Sequence, residues 1–218
     1  MRTAVALLGS LIAPPRCAIC DAATEARHPL CARCEAELSS AAPQSGSVPG
    51  VESTWSAAPY GDAARGLVAA LKFRRLLPLA RRAATAIHAS VPPGLLDGAL
   101  VPVPAAPLRL RARGFDPAEQ IALELARLSG RPLAPCLRRS QGPRQVGRPR
   151  AERLASPPRV VVRGEAPARS ILVDDVLTTG STLAACGAAL REAGGERVVA
   201  VTFARSGGKE LGVRPSRA

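Results

Sequence analysis

Apolar residues along the chain fall into short blocks set apart by proline, glycine and charge. Residues 171–173 (ILV) form a run bounded by polar residues, the pattern of a strand buried on both faces of a parallel sheet. Residues 99–103 (ALVPV), 160–162 (VVV) and 197–203 (RVVAVTF) read as further strands, and 133–137 as a weaker one. Residues 54–60, with Trp55 and Tyr60, have strand-like and turn character. Helical spacing occurs at 63–75, where Leu67, Val68 and Leu71 share a face, and at 78–90. It returns from Pro117 to Gly130, where Ile121, Leu123, Leu125 and Leu128 supply a looser stripe, and in the block after Thr182 that stops at Gly194-Gly195. Strands alternating with helices predict an α/β domain built on a parallel sheet.

Polar stretches divide the chain. Residues 1–13 begin with one arginine and an apolar run that imitates a signal peptide. They run straight into Pro14-Pro15 without a small-residue cleavage site, so a short docking helix is expected. Residues 40–53 are rich in Ser, Pro and Gly and read as a linker. Residues 138–158 form a long basic loop, and loops of that length inside a compact domain are usually functional or disordered. The expected organisation is therefore a helix and cysteine element at 1–39, a linker at 40–53, the α/β domain at 54–205 and a loose tail at 206–218.

Composition adds two constraints. Aromatic residues make up 2% of 218 residues against 47% hydrophobic overall, so the core must be Ala, Val and Leu. The formal net charge of +13 is carried almost wholly by arginine, with Lys72 and Lys209 the only lysines. A bias toward G and C in the genome would raise Arg for reasons unrelated to function. Even so, this charge favours polyanionic partners, either phosphorylated substrates or nucleic acid. No apolar run approaches the ~20 residues of a membrane span, which argues against membrane insertion.

Two clusters carry chemistry. Cys17, Cys20, Cys31 and Cys34 have the spacing C-x2-C-x10-C-x2-C, which can set four thiolates around a structural zinc ion. Two disulfides or unrelated thiols are the alternatives, disulfides being disfavoured in the cytoplasmic setting expected here. His28, between the pairs, reads as an ordinary surface histidine, and Cys136 and Cys186 as small core residues. The second cluster follows the 171–173 strand: Asp174 and Asp175, then Val176 and Leu177, then Thr178, Thr179, Gly180, Ser181 and Thr182. Ligands of open α/β sheets sit beyond the carboxyl ends of the strands. There the two acids offer acceptors for sugar hydroxyls or a hydrated metal. The loop and the helix start behind it offer a phosphate cradle.

This segment resembles the phosphoribosyl-pyrophosphate (PRPP) motif of type I phosphoribosyltransferases. In that family the two acids hold the ribose hydroxyls and the loop holds the 5′-phosphate. Four features in one order extend the resemblance to the ComF family: the paired C-x2-C knuckles, LKFRR at 71–75, VPVP followed by RLRARGFD at 101–116, and QVGRPRAER at 145–153 leading to LVDDVLTTGST. The resemblance implies a type I phosphoribosyltransferase-like parallel sheet flanked by helices, with a small zinc-ribbon-like N-terminus. By position, Asp174 and Asp175 would bind ribose and its Mg²⁺, and residues 176–182 would complete the PRPP site. Arg109, Arg111, Arg113 and Gly114 would face pyrophosphate, Arg113 counting as catalytic with the two acids. Arg138, Arg139, Gln145 and Arg150 would belong to a mobile loop, and Lys72 matches a basic position of the family. Asp116 stands where the family commonly has Asn. The family is associated with competence, so DNA uptake in transformation, or nucleotide metabolism, is the implied setting. Single-stranded DNA, competence proteins and a second copy of the chain are its implied partners. A non-enzymatic DNA-docking factor is the alternative, although few aromatic residues are present for base stacking.

Overall fold

The computed structural model describes residues 15–25, 28–139 and 158–207. The helix expected at 1–13, the loop residues Gln145 and Arg150 and the tail from 208 lie outside the described residues.

The first element is helix α1 (Ala32–Ser39), followed by strands β1 (Gln44–Val48) and β2 (Val51–Pro59). Helices α2 (Asp62–Arg74) and α3 (Pro78–Ser90) lead to β3 (Ala99–Pro102), and α4 (Pro107–Arg113) and α5 (Pro117–Ser129) follow. Strands β4 (Leu137–Arg139) and β5 (Val160–Val162) pair with each other, and β6 (Arg169–Leu177), α6 (Ser181–Glu192) and β7 (Arg197–Arg205) complete the described fold. The main sheet has the order β1-β2-β7-β6-β3. All its pairings are parallel except β1 with β2. This is a mixed α/β fold with a mostly parallel central sheet flanked by helices.

Period-two alternation divides the central strands between two cores. Ile171, Val173, Val199, Val201 and Phe203 pack toward α2, α3 and α5. Leu172, Val198 and Ala200 pack toward Leu183, Cys186 and Leu190 of α6 and the β4–β5 pair. Burial on both faces explains why these strands read as nearly unbroken apolar runs. Cys136 and Cys186 are buried in the second core, as the sequence suggested.

The expected linker is corrected. Residues 44–48 are β1, and β2 begins at Val51. The turn between them carries Gly50 at φ +78°, which glycine adopts without steric cost. Nor is the cysteine element a separate appendage. Cys17, Ala18, Leu30, Cys34 and Leu38 belong to the same core as Leu67, Leu71 and Ile87. Arg74 donates to the Ala18 carbonyl at 3.1 Å, Glu37 accepts from the Ala63 N–H at 3.1 Å, and Arg82 pairs with Glu35 at 2.6 Å. A Cβ on Gly66 of α2 would meet Ile19 at 2.6 Å, so the first knuckle lies directly on this helix.

Two further boundaries move. The basic stretch before Gly114, for which the sequence showed no helical spacing, is helix α4, with Pro107 in its first turn and Gly114 at φ +76° as its cap. Arg138 and Arg139 are in strand β4 rather than a loop. Among the described residues, no helix is long and apolar enough to cross a membrane.

Candidate functional site

The four cysteines of the first cluster converge. Their sulfurs all lie within 4.8 Å of one another, and those of Cys20 and Cys31 are 3.5 Å apart. Four sulfurs bound tetrahedrally at about 2.3 Å from one ion stand about 3.8 Å apart, so shifts of about 1 Å or less would seat zinc in this set. Burial pushes the Cys17 thiol up. Hydrogen bonds from the backbone N–H groups of Cys20, Cys31 and Ile19 outweigh that effect and bring it down to about 6. Cys34 moves up, through burial and then through the neighbouring thiols. All six cysteines are free. His28 stays outside the cluster, exposed and 3.7 Å from Glu25, as a surface residue does.

The second cluster lies at the carboxyl end of β6. The strand runs on to Leu177, so Asp174 and Asp175 are its own residues and point to opposite faces. Asp175 is buried and paired with Lys72 of α2, whose Nζ stands 2.8 Å from Oδ1 and 2.7 Å from Oδ2. Asp174 is half-buried, and its Oδ1 accepts the Asp175 backbone N–H at 2.8 Å. Burial, then the Asp175 charge, pushes the Asp174 carboxyl well above the usual carboxylate range.

Thr178 and Thr179 are exposed beyond the strand, and Gly180 turns the chain into α6 at φ +77°. A Cβ there would meet Val48 Cγ1 at 2.5 Å, so the β1–β2 turn forms the back wall of this loop. The N-cap residue Gly180 offers no side chain, and the Ser181 N–H makes only a long bond to Thr179 Oγ1 at 3.5 Å, so N–H groups of the first turn remain for an anion. Thr179 and Ser181 hydroxyls share a hydrogen bond at 3.1 Å. The Arg139 guanidinium, projecting from β4, donates to Thr182 Oγ1 at 3.1 Å, while its buried Nε has no partner among the described residues. Arg139 therefore stands at the first turn of α6 rather than in the long loop.

The remaining basic positions are less gathered. Arg113 lies over the Phe73 ring at 5.3 Å, and Arg75 lies over Phe115 at 5.9 Å, so the ends of α2 and α4 meet beside Lys72. Arg109, Arg111 and Arg138 are exposed, and among the described residues no hydrogen bond or ion pair draws them to the acids. Asp116 caps α5 by accepting from Ala118 N at 3.0 Å and ties down the preceding loop by accepting from Ala105 N at 2.7 Å. Both carboxylate oxygens are used, which gives Asp at this position a structural role. Burial raises its carboxyl above the usual range.

At Asp175, one of the two acids expected to serve Mg²⁺, a chelated ion does not fit this arrangement. Mg²⁺ takes oxygen ligands at about 2.0–2.1 Å. An ion chelated by Asp175 would lie almost on the Lys72 nitrogen, which already faces both oxygens. Two features of the site were not visible in the sequence: Lys72 on Asp175, and Arg139 on Thr182. Both join residues far apart in the chain, and no local pattern marks such a pairing.

Residues 8–50 match the family model of the double zinc ribbon domain, and the four-cysteine cluster lies inside that match. No curated protein matches the chain. Among solved structures the chain is similar to TT1426 from Thermus thermophilus, with 18% identity, a TM-score of 0.36, and coverage of 62% of this chain and 86% of that one.

Proposed function

We propose that the protein binds PRPP at the carboxyl end of β6 and is a phosphoribosyltransferase-like protein of the ComF type, set in DNA uptake or nucleotide metabolism. The observation that supports this most directly is the succession along one short segment. Two acids lie near the carboxyl end of the strand, a glycine in the left-handed region turns the chain after it, and a helix start follows, with Arg139 on its first turn. The helix start and the guanidinium suit a phosphate monoester. The acids suit the neighbouring hydroxyls of the same sugar. In pentosyl transfer, positive charge builds at C1 while pyrophosphate departs, and the chain's part is to hold the sugar and place cations near the leaving group. Arg113, stacked on the ring of Phe73 next to Lys72 in the chain, is the arginine proposed for that second task.

Calorimetric titration of PRPP into the zinc-loaded protein tests this reading. Saturable binding is expected, together with its loss in the Asp174→Asn, Asp175→Asn double variant at unchanged fold. Equal affinity in the double variant would sink the assignment.

A second reading, a single-stranded nucleic-acid docking factor, is favoured by one observation. Phe73 is 74% exposed and stacked by Arg113, a ring available to a base beside an arginine-rich helix. Binding of an oligonucleotide that weakens steeply with salt and is lost in Phe73→Ala is its expected signature. A flat salt response would remove it.

A further inference from the structure

Lys72 is the single lysine among the described residues of a chain whose other cations there are arginines. Its side chain is 21% exposed and that of Asp175 8%, so the pair is largely withdrawn from water. The ammonium faces both carboxylate oxygens, at 2.8 and 2.7 Å, in the position a chelated ion would take. An arginine fork would spread its charge over a plane, whereas an ammonium is a compact point charge with three N–H donors. One N–H donates to Asp175 Oδ1, Oδ2 stands 2.7 Å away in the ion pair, and the ammonium has no other acceptor among the described residues. Carboxylate oxygens retain further lone pairs after accepting one bond each. The pair therefore presents a charged acceptor beside a charged donor, and a vicinal diol matches that arrangement, one hydroxyl donating to Asp175 and its neighbour accepting from Lys72.

We infer that Lys72 is the built-in cation of this site, taking at Asp175 the place of a divalent metal, so that the diol of a phosphorylated pentose binds here without Mg²⁺. The inference rests on the sugar-phosphate reading above and adds how the diol is held. The position of Lys72 on a different element, α2, gives the site its second wall. It ties the end of α2 to the carboxyl end of β6.

The test is titration of ribose 5-phosphate into the zinc-loaded full chain, in Mg²⁺-free buffer and again with millimolar Mg²⁺. Equal affinity within about twofold is expected for the unaltered protein. Lys72→Met should lose at least about tenfold without Mg²⁺ and recover with it, as the metal takes the vacated position. Lys72→Arg should retain metal-free binding in part. If Lys72→Met fails to fold, the double variant Lys72→Met, Asp175→Asn replaces it. That variant carries no buried lone charge and should bind weakly in both buffers. Binding by the unaltered protein only with Mg²⁺ overturns the inference and leaves the sugar-phosphate site standing. Equal weakening of Lys72→Met in both buffers also overturns it, because Lys72 would then only hold Asp175 in place. No binding to the folded protein in either buffer overturns both readings.

Discussion

Gly187 is a buried glycine in the middle of α6, and replacing it with alanine sets two effects of opposite sign against each other. Helix propensity alone favours alanine by about 1 kcal/mol. The surroundings oppose it. An added Cβ would meet Gly50 O at 2.6 Å, Gly50 C at 2.9 Å and Val51 Cγ2 at 2.9 Å. The nearest atoms are backbone, so no rotamer change relieves the contact. The β1–β2 turn must retreat by about 0.8 Å to restore ordinary packing, and overpacking of this kind costs about 1–3 kcal/mol. Rigid backbone places the cost toward the upper end, and the balance is a net loss of about 1–2 kcal/mol. For a chain of this size that is a melting temperature lower by about 3–6 °C. The same retreat pulls Val48 away from Gly180, so PRPP affinity should fall alongside stability. Gly207→Ala is the control. Nothing lies within 4 Å of a Cβ added there, so its melting temperature should stay within about 2 °C of the unaltered protein. Thermal unfolding at fixed zinc measures both. Gly187→Ala melting at or above the unaltered protein would refute the packing argument.

Three further outcomes follow from the geometry. Zinc analysis should find one ion per chain. Cys34→Ser should lose it and lower the melting temperature of the whole molecule, because Cys34 belongs to the main core; independent melting of the N-terminal element would contradict that. The raised Asp174 carboxyl makes its ionisation a cost to the folded state. Stability contributed by the protonated form is complete below the unfolded value of about 3.9 and falls as pH rises toward the higher folded value. Asp174→Asn should therefore gain stability relative to the unaltered protein as pH rises through that window, and a constant difference would contradict the shift. Arg139→Met should weaken phosphate binding about tenfold or more with little change in melting, and unchanged affinity would remove Arg139 from the site.

The elements legible in the sequence were those with strong periodicity and clear punctuation. Residues 78–90 and 117–129 form helices as read, and the central apolar runs are strands. The cysteine spacing announced a cluster that the fold closes. Less was legible where composition pointed one way and tertiary pairing another. Gln44–Val48 is polar and contains a glycine, yet it is held as an edge strand by β2. The Pro-Gly at its end marks a turn that could have suggested the hairpin. Helix α4 has no buried residue, so no apolar stripe announced it; the proline at its start and the glycine after its end were the available signals. At the site, local order marked the acids and the loop. Lys72 and Arg139 reach them from 103 and 43 residues away, and only the fold brings such groups together.

The place of β7 bears on how the chain is made. It lies between β2 and β6, yet it is the last strand of the sheet to be synthesised. After β2 leaves the ribosome, roughly 140 residues must be added before its parallel neighbour emerges, a wait of roughly 7–30 s at ordinary elongation rates. Throughout that interval β1 and β2 are a two-stranded ribbon, a unit marginally stable by itself. The cysteine knuckles need only nearby residues and can close on zinc first, giving the nascent hairpin and α2 something to pack against. Metal supply during translation should therefore govern the yield of native protein. Zinc withheld until synthesis is complete should give more aggregate than zinc present from the start.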